Sequence, residues 1–205
     1  MIKALGRGRP TDPTKQQLQK EKLLDAAQAL LSMKPYREVT IRDLAEQADL
    51  NSAMVRYYFV NKEGLFLALL KRMSQQHFVD MKQISTQHEP IKEFIHFMLK
   101  MLTKNTSLAR LIHDEFSKDN SELGNAFIEM FPKRMAKILP QLIKNNTKIT
   151  DNRKAKYAAF SLVSMIIMPF IGREVRERAW GISDEELSNF AWTEHIYSMF
   201  ISGCS

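Results

Sequence analysis

Apolar side chains return every three or four positions along most of this chain and rarely alternate with a period of two, so the pattern predicts helices and requires no strand. Within 14–33, Leu23, Ala27, Leu30 and Leu31 fall at i, i+4, i+7 and i+8, one face of a helix that Pro35 should end. Ile41, Leu44, Ala45 and Ala48 make a narrow apolar face on a short second helix, with Thr40 at its N-cap and Asp43 in the capping-box position. "DLN" at 49–51 reads as a tight turn, because Asp and Asn are among the few non-glycine residues that tolerate left-handed backbone. A third helix over 51–57 makes about two turns, too few to hold its shape alone in water. Asn61 caps a fourth through 62–83, with Leu65, Leu69 and Met73 at i, i+4 and i+8. The periodicity breaks at "STQHEP" (85–90). It resumes in helices expected near 90–104, 107–117, 121–144, 151–178 and 183–202, the last opened by a Ser183–Glu186 capping box.

Two short helices joined by a tight turn make a helix-turn-helix, whose second helix enters the DNA major groove and reads base edges. The burial pattern follows from that geometry. Ile41, Leu44 and Ala45 bury against the first helix, Ala48 is small where helices approach, and Leu50, Val55 and Phe59 plug the same core. Ser52, Ala53, Met54 and Arg56 are left facing outward. The expected architecture is all-α in three parts: a mobile basic arm over 1–13, a helix-turn-helix domain with its connecting fourth helix over 14–84, and a helical bundle over 85–205.

Charge sharpens this picture. The net charge is +7 and the pI about 9.5, which favours polyanionic partners. Residues 1–75 hold 13 Lys and Arg against 8 Asp and Glu, a balance of +5, and the remainder carries only +2. The excess therefore sits with the expected DNA-binding segment. The one cysteine, Cys204, forms no internal disulfide and no metal-type spacing, and fits a reducing cytosol. The N-terminus lacks an apolar signal core. The longest apolar run, 158–172, contains Ser161, Ser164 and Pro169 and falls short of the roughly 20 residues a membrane span needs, so it reads as a buried helix and no membrane partner is expected.

The stretch "TIRDLAEQADLNSAMVRYYFVNKEGLF" (40–66) resembles the DNA-binding segment of TetR-family transcriptional regulators. It shares the opening Thr, the apolar-paired step, the turn, the aromatic pair ending in Phe, and Lys-Glu before an apolar helix. Asp49 stands where Gly is usual in the turn, Ala53 replaces a frequent Gly, and Arg56 stands where Tyr is common. The last two departures keep the target sequence from being carried over. The resemblance implies phosphate contacts from Thr40, Tyr58 and Lys62, and base-facing positions at Ser52, Ala53, Met54 and Arg56. Arg42 sits where some members reach a base, and Tyr57 divides between packing on the first helix and touching DNA. Arginine paired with guanine O6 and N7 is the commonest specific contact. The arm "GRGRP" offers Arg7 and Arg9 to a narrow minor groove, where the potential is most negative.

For 85–205 the resemblance implies a homodimer and a small effector. The pocket candidates are Phe94, Phe97, Met98, Met101, Leu102, Phe127, Met130, Phe131, Met165 and Met168, aromatic or flexible side chains suited to an apolar or aromatic ligand. Phe160, Ile167, Phe170, Trp192, Ile196 and Phe200, on two wide-faced apolar helices, are the candidates for the dimer interface. His77, His88, His96, His113 and His195 are scattered, and no H-E-x-x-H, phosphate loop or G-x-S-x-G occurs, so neither catalysis nor a metal or cofactor is expected. The expected protein is a cytoplasmic, sequence-specific DNA-binding regulator: a homodimeric repressor released from a palindromic operator by a small molecule. Two other readings stay open: a regulator without a small effector, as an activator or under a partner's control, and a helical ligand-binding protein or enzyme with a vestigial head. Deleting residues 1–10 should weaken operator binding and flatten its salt dependence without lowering the melting temperature, as titrations at several salt concentrations would show.

Overall fold

The computed structural model of the chain describes residues 12–104 and 121–204. The segment carrying Arg7 and Arg9, and the helix expected over 107–117 with His113, lie outside the described residues. The described residues are helical, with one 3₁₀ turn and no strand, as the periodicity predicts. The chain divides into two compact units, Met1–Leu69 and Leu70–Ser205.

In the first unit, α1 (Pro13–Met33) opens with Pro13 at its first position and Asp12 as N-cap, whose Oδ1 accepts the Thr14 N–H at 2.9 Å. Its Leu23, Leu24, Ala26, Ala27, Leu30 and Leu31 are buried. A 3₁₀ turn at Tyr36–Glu38, absent from the periodic pattern, follows Pro35. Helix α2 (Ile41–Gln47) has both halves of its capping box: Asp43 N–H donates to Thr40 Oγ1 at 3.1 Å, and Thr40 N–H to Asp43 Oδ2 at 2.7 Å. Lys34 Nζ lies 2.7 Å from the same carboxylate oxygen. That pair, with the two Thr40 contacts, pulls the Asp43 carboxyl down to a pKa of about 2.

The turn after α2 closes as a Schellman motif. Leu50 N–H donates to Ala45 O at 2.9 Å and Asp49 N–H to Glu46 O at 3.1 Å. This geometry puts Asp49 at φ 53°, the left-handed position that favours glycine. Helix α3 (Ser52–Phe59) begins at Asn51, whose side chain accepts the Ala53 N–H at 2.8 Å. It ends in a second unusual residue. Val60 has φ 67° and ψ −53°, and Asn61 N–H donates to Phe59 O at 2.8 Å across it, a γ-turn of the strained hand centred on a β-branched residue. Asn61 Oδ1 then accepts the Gly64 N–H at 2.7 Å as α4 (Lys62–Ile84) starts. A Cβ on Gly64 would lie 2.2 Å from the Phe59 carbonyl oxygen, so the corner between α3 and α4 needs glycine there.

The division between the units falls inside α4, after Leu69, rather than at the break in periodicity over 85–90. From Leu70 onward this helix gives its buried residues, Ser74, His77, Phe78 and Met81, to the second unit. That unit continues with α5 (Pro90–Lys104), α6 (Glu122–Met130), α7 (Pro132–Asn146), α8 (Asn152–Ile171), α9 (Arg173–Trp180), α10 (Asp184–Ser188) and α11 (Phe190–Gly203). Its core gathers Phe94, Ile95, Leu99, Leu139, Ile143, Leu162 and Ile166.

Three helices that the periodicity drew as continuous are each broken. The 121–144 helix breaks at Phe131, where Pro132 disfavours normal helical backbone in the residue before it and then opens the next helix at its first position. The 151–178 helix breaks at Gly172, and 183–202 at Asn189, an extended residue whose side chain caps α11 through the Ala191 N–H at 3.2 Å. The Ser183–Glu186 capping box opens α10. Arg176, only 5% exposed, donates to the carbonyls of Pro169 and Ile182 and pairs with Asp184, tying α8 to α10. Helix α8 runs 20 residues, longer than its apolar stretch, and has the length and composition of a membrane span. Its first turns nonetheless carry Arg153, Lys154 and Lys156, and its Ala155, Ala159, Leu162 and Ile166 are buried among the other helices.

Replacing Val60 with glycine should raise stability by about 1 kcal/mol, because relief of about 1–3 kcal/mol of backbone strain exceeds the added entropy of the unfolded chain. Asp49→Gly should gain less, since Asp tolerates the left-handed region better than Val. Urea unfolding of the two variants beside the parent checks the ranking.

Candidate nucleic-acid interface and body cavity

The third helix is held by one fully buried side chain and several half-buried ones. Val55 is 0% exposed, and Leu44, Ala45 and Ala48 of the preceding helix and turn are buried with it. Leu50 and Phe59 are half-buried rather than fully enclosed, so Val55 carries most of the attachment. The opposite face is open: Ser52, Ala53 and Arg56 are exposed and Met54 half-buried. Arg42, on the second residue of α2, is also exposed. Neither Arg42 nor Arg56 has an ion-pair partner among the described residues, so both guanidinium groups face solvent with their donors available. Thr40 Oγ1 accepts the Asp43 N–H, which leaves its hydroxyl proton for another acceptor.

Two residues expected to bond phosphates are engaged within the head. Tyr58 donates its hydroxyl to Gln19 Oε1 at 2.7 Å, and Lys20 Nζ stands 5.7 Å from its ring. Lys62 Nζ donates to the carbonyls of Tyr36 at 3.0 Å and Val39 at 2.9 Å, and lies 4.2 Å from the Tyr36 ring centroid. Its ammonium therefore ties the start of α4 to the 3₁₀ turn, through charge-assisted hydrogen bonds and a cation–π contact. Tyr36 in turn sets its ring edge-to-face on Phe66 at 4.8 Å. Tyr57 is 46% exposed and packs edge-on against Tyr58 at 4.9 Å. The partners Gln19, Tyr36 and Val39 have no signature in the helix-turn-helix stretch; they lie upstream of it and meet it only on folding.

The second unit contains a cavity of about 730 Å³, within the range of drug-sized ligand sites. Met98, Met101, Leu102, Phe127 and Phe131, all named from sequence, line it. Phe94 does not: it is 0% exposed in the core. Phe97 packs beside the cavity on His77 at 5.2 Å, the Met130 carbonyl accepts the Ser74 hydroxyl, Met165 sits against the core, and Met168 is 57% exposed. Phe160 and Ile167, expected at a dimer interface, line the cavity from α8, and Phe160 is at the same time 76% exposed. Ile196 and Phe200, also expected there, are buried in the core of their own chain, while Phe170 and Trp192 are half-buried against it. The exposed apolar residues of α8 and α9 include Tyr157, Phe160, Met168, Ile171 and Val175, with Met199 on α11. Adjacent positions such as Ile167, on the cavity, and Met168, exposed, differ by one residue's arc around the helix, a distinction that apolar content alone does not make.

Sequence reasoning left His77 unassigned, yet it reaches the cavity wall. Its signal was register: Leu70, Ser74, His77 and Met81 repeat at i, i+4, i+7 and i+11 on the buried face of α4. It is 2% exposed, and burial lowers its pKa to about 4. Among the described residues no group of His, Cys, Asp and Glu is placed to hold a metal ion.

Residues 23–69 match the family model described as bacterial regulatory proteins, tetR family. An uncharacterized HTH-type transcriptional regulator of Bacillus subtilis, YvkB, is 26% identical over 192 residues, 90% of this chain and 96% of that protein. The HTH-type transcriptional regulator BetI of Brucella suis is 26% identical over 175 residues, 81% of this chain and 87% of BetI. Among solved structures, the fatty acid degradation regulator FadR from Bacillus halodurans superposes with a TM-score of 0.72 at 16% identity, covering 95% of this chain and 98% of that one. FadR from Bacillus subtilis in complex with stearoyl-CoA gives 0.69 at 20% identity, covering 90% and 99%.

The depressed pKa of His77 makes stability pH-dependent. The unfolded chain takes up a proton as pH falls below about 6.5, while the folded ring stays neutral down to about 4. Stability is therefore full above 6.5 and declines through this window on acidification. Between pH 7.5 and 5 the loss should be about 2 kcal/mol. Comparing urea unfolding of the parent and His77→Phe at both pH values tests this: the variant should lose correspondingly less.

Proposed function

We propose that this chain, which belongs to the TetR family of bacterial transcriptional regulators, is a cytoplasmic repressor that a small apolar molecule releases from a palindromic operator. The observation that carries this reading is the outward face of α3: a helix too short to stand alone, pinned by Val55, presenting Ser52, Ala53 and Arg56 with Arg42 nearby in sequence. Arg56 and Arg42 read base edges, Met54 and Ala53 meet thymine methyls, and Thr40 bonds a phosphate. Lys62 and Tyr58 act in a second way, by holding the reading head in shape through Tyr36, Val39 and Gln19.

A helix-turn-helix reads one half-site, so a two-fold dimer that spaces its recognition helices by roughly 34–36 Å reads a palindrome. The exposed Tyr157, Met168, Ile171, Val175 and Met199 supply an apolar surface for that pairing. The cavity, lined mainly by Met, Phe and aliphatic side chains, supports an apolar effector. The stearoyl-CoA held by the Bacillus subtilis FadR, whose fold is similar, supports it further. Release requires that the effector bind better to the dimer whose heads are mis-spaced for DNA, since equal affinity for both states shifts nothing. The named relatives are regulators rather than enzymes.

Fluorescence anisotropy with palindromes from the protein's own upstream region tests the reading. Arg56→Ala should cut discrimination between operator and scrambled DNA by about 1–3 kcal/mol with the melting temperature unchanged. An equal loss on both DNAs would make Arg56 a phosphate contact. Lys62→Ala, by contrast, should lower the melting temperature together with affinity.

A further inference from the structure

The cavity of the second unit has two unlike sides. On the buried side stands His77, whose Nδ1 and Nε2 both lack a hydrogen-bond partner among the described residues. Its surroundings are aromatic, with Phe97 at 5.2 Å and Phe131 at 5.7 Å between ring centroids. The charged groups that act on it, Asp80 and Arg134, do not bond it; Arg134 donates to Ser74 Oγ at 3.1 Å and lies over the Phe78 ring at 3.8 Å. Native proteins leave few buried polar atoms unsatisfied, and a neutral imidazole offers one donor and one acceptor.

On the exposed side, Lys137 of α7 and Lys156 of α8 line the same cavity. Neither pairs with a carboxylate among the described residues, whereas the third lysine there, Lys133, is paired with Glu129. Among the described residues no Asp or Glu lines the cavity. The wall between the two sides is apolar.

We propose that the cavity takes an amphipathic organic anion bearing a second, uncharged hydrogen-bonding group, a hydroxyl or carbonyl, on its apolar body away from the charge: the anion lies at Lys137 and Lys156, and the second group pairs with His77. This rests on the reading of the second unit as the effector domain. It adds selectivity to that reading. A plain hydrocarbon chain leaves the imidazole unpaired, and a site built to hydrogen-bond a ligand group rejects analogues lacking it far better than an apolar pocket rejects a missing methylene. A cationic amphiphile is repelled at the lysines.

Isothermal titration of the full chain with dodecanoate and 12-hydroxydodecanoate at pH 7.5 tests the assignment. The hydroxy acid should bind about tenfold more tightly despite its more polar tail. In His77→Phe that preference should vanish or reverse. The double variant Lys137→Gln, Lys156→Gln should weaken both acids alike and remove the salt dependence of binding. No saturable binding of either acid, equal affinities in the parent, or a preference that survives in His77→Phe overturns the proposal. His77→Met, whose flexible side chain refills the site, serves if the Phe variant does not fold. Operator release is read separately. Binding without release overturns the repressor reading and leaves the His77 assignment standing, whereas operator release by a cell extract with no acid binding does the reverse.

Discussion

A helix of eight residues does not hold its shape in water, and the function of the first unit depends on one that must. The fold meets this constraint from three sides. Val55 anchors the buried face, and a Schellman turn fixes the angle at which α3 leaves α2. A tight γ-turn, closed by the Asn61 cap and the bare Gly64, fixes the angle at which α4 leaves α3. Each corner forces a residue into positive φ, Asp49 in one and Val60 in the other. Strain at both ends is the conformational cost of setting a short helix at a defined angle, offset by the core that Val55 joins.

Polar side chains reinforce the same frame. The Lys62 ammonium bonds two carbonyls of the segment before α2, and the Tyr58 hydroxyl bonds α1, so two residues that resemblance assigns to phosphates hold the head together as well. These roles are compatible in chemistry. The Lys62 ammonium engages the Tyr36 and Val39 carbonyls, and its position at the start of α4 keeps the charge where an anion is favoured. The second unit uses polarity differently. Its core leaves a buried imidazole on the wall of a cavity, without a hydrogen-bond partner among the described residues.

Much of this was legible in the chain. Helical periodicity, both capping boxes, the left-handed Asp49 and the buried set Leu44, Ala45, Ala48 and Val55 are local consequences of side-chain spacing, and they appear as expected. The breaks at Phe131, Gly172 and Asn189 were less so, because a smooth apolar period continues across them while a proline or a capping side chain decides locally. Pro140 and Pro169, in contrast, stay inside helices, so proline by itself does not announce where a helix ends.

The sequence by itself determined the all-helical class, the helix-turn-helix and the face of α3 left open, because these depend on contacts a few residues apart. Only the tertiary structure decided the rest. It turned Ile196 and Phe200 into the core of their own chain, left Tyr157 and Val175 exposed, placed Ile167 on the cavity, and brought His77, Lys137 and Lys156 to the lining of one cavity. The reason is physical. Periodicity says that a helix has an apolar face, but which neighbour covers that face is set by packing between residues far apart in the chain, and a rotation of one residue's arc exchanges core, cavity and surface.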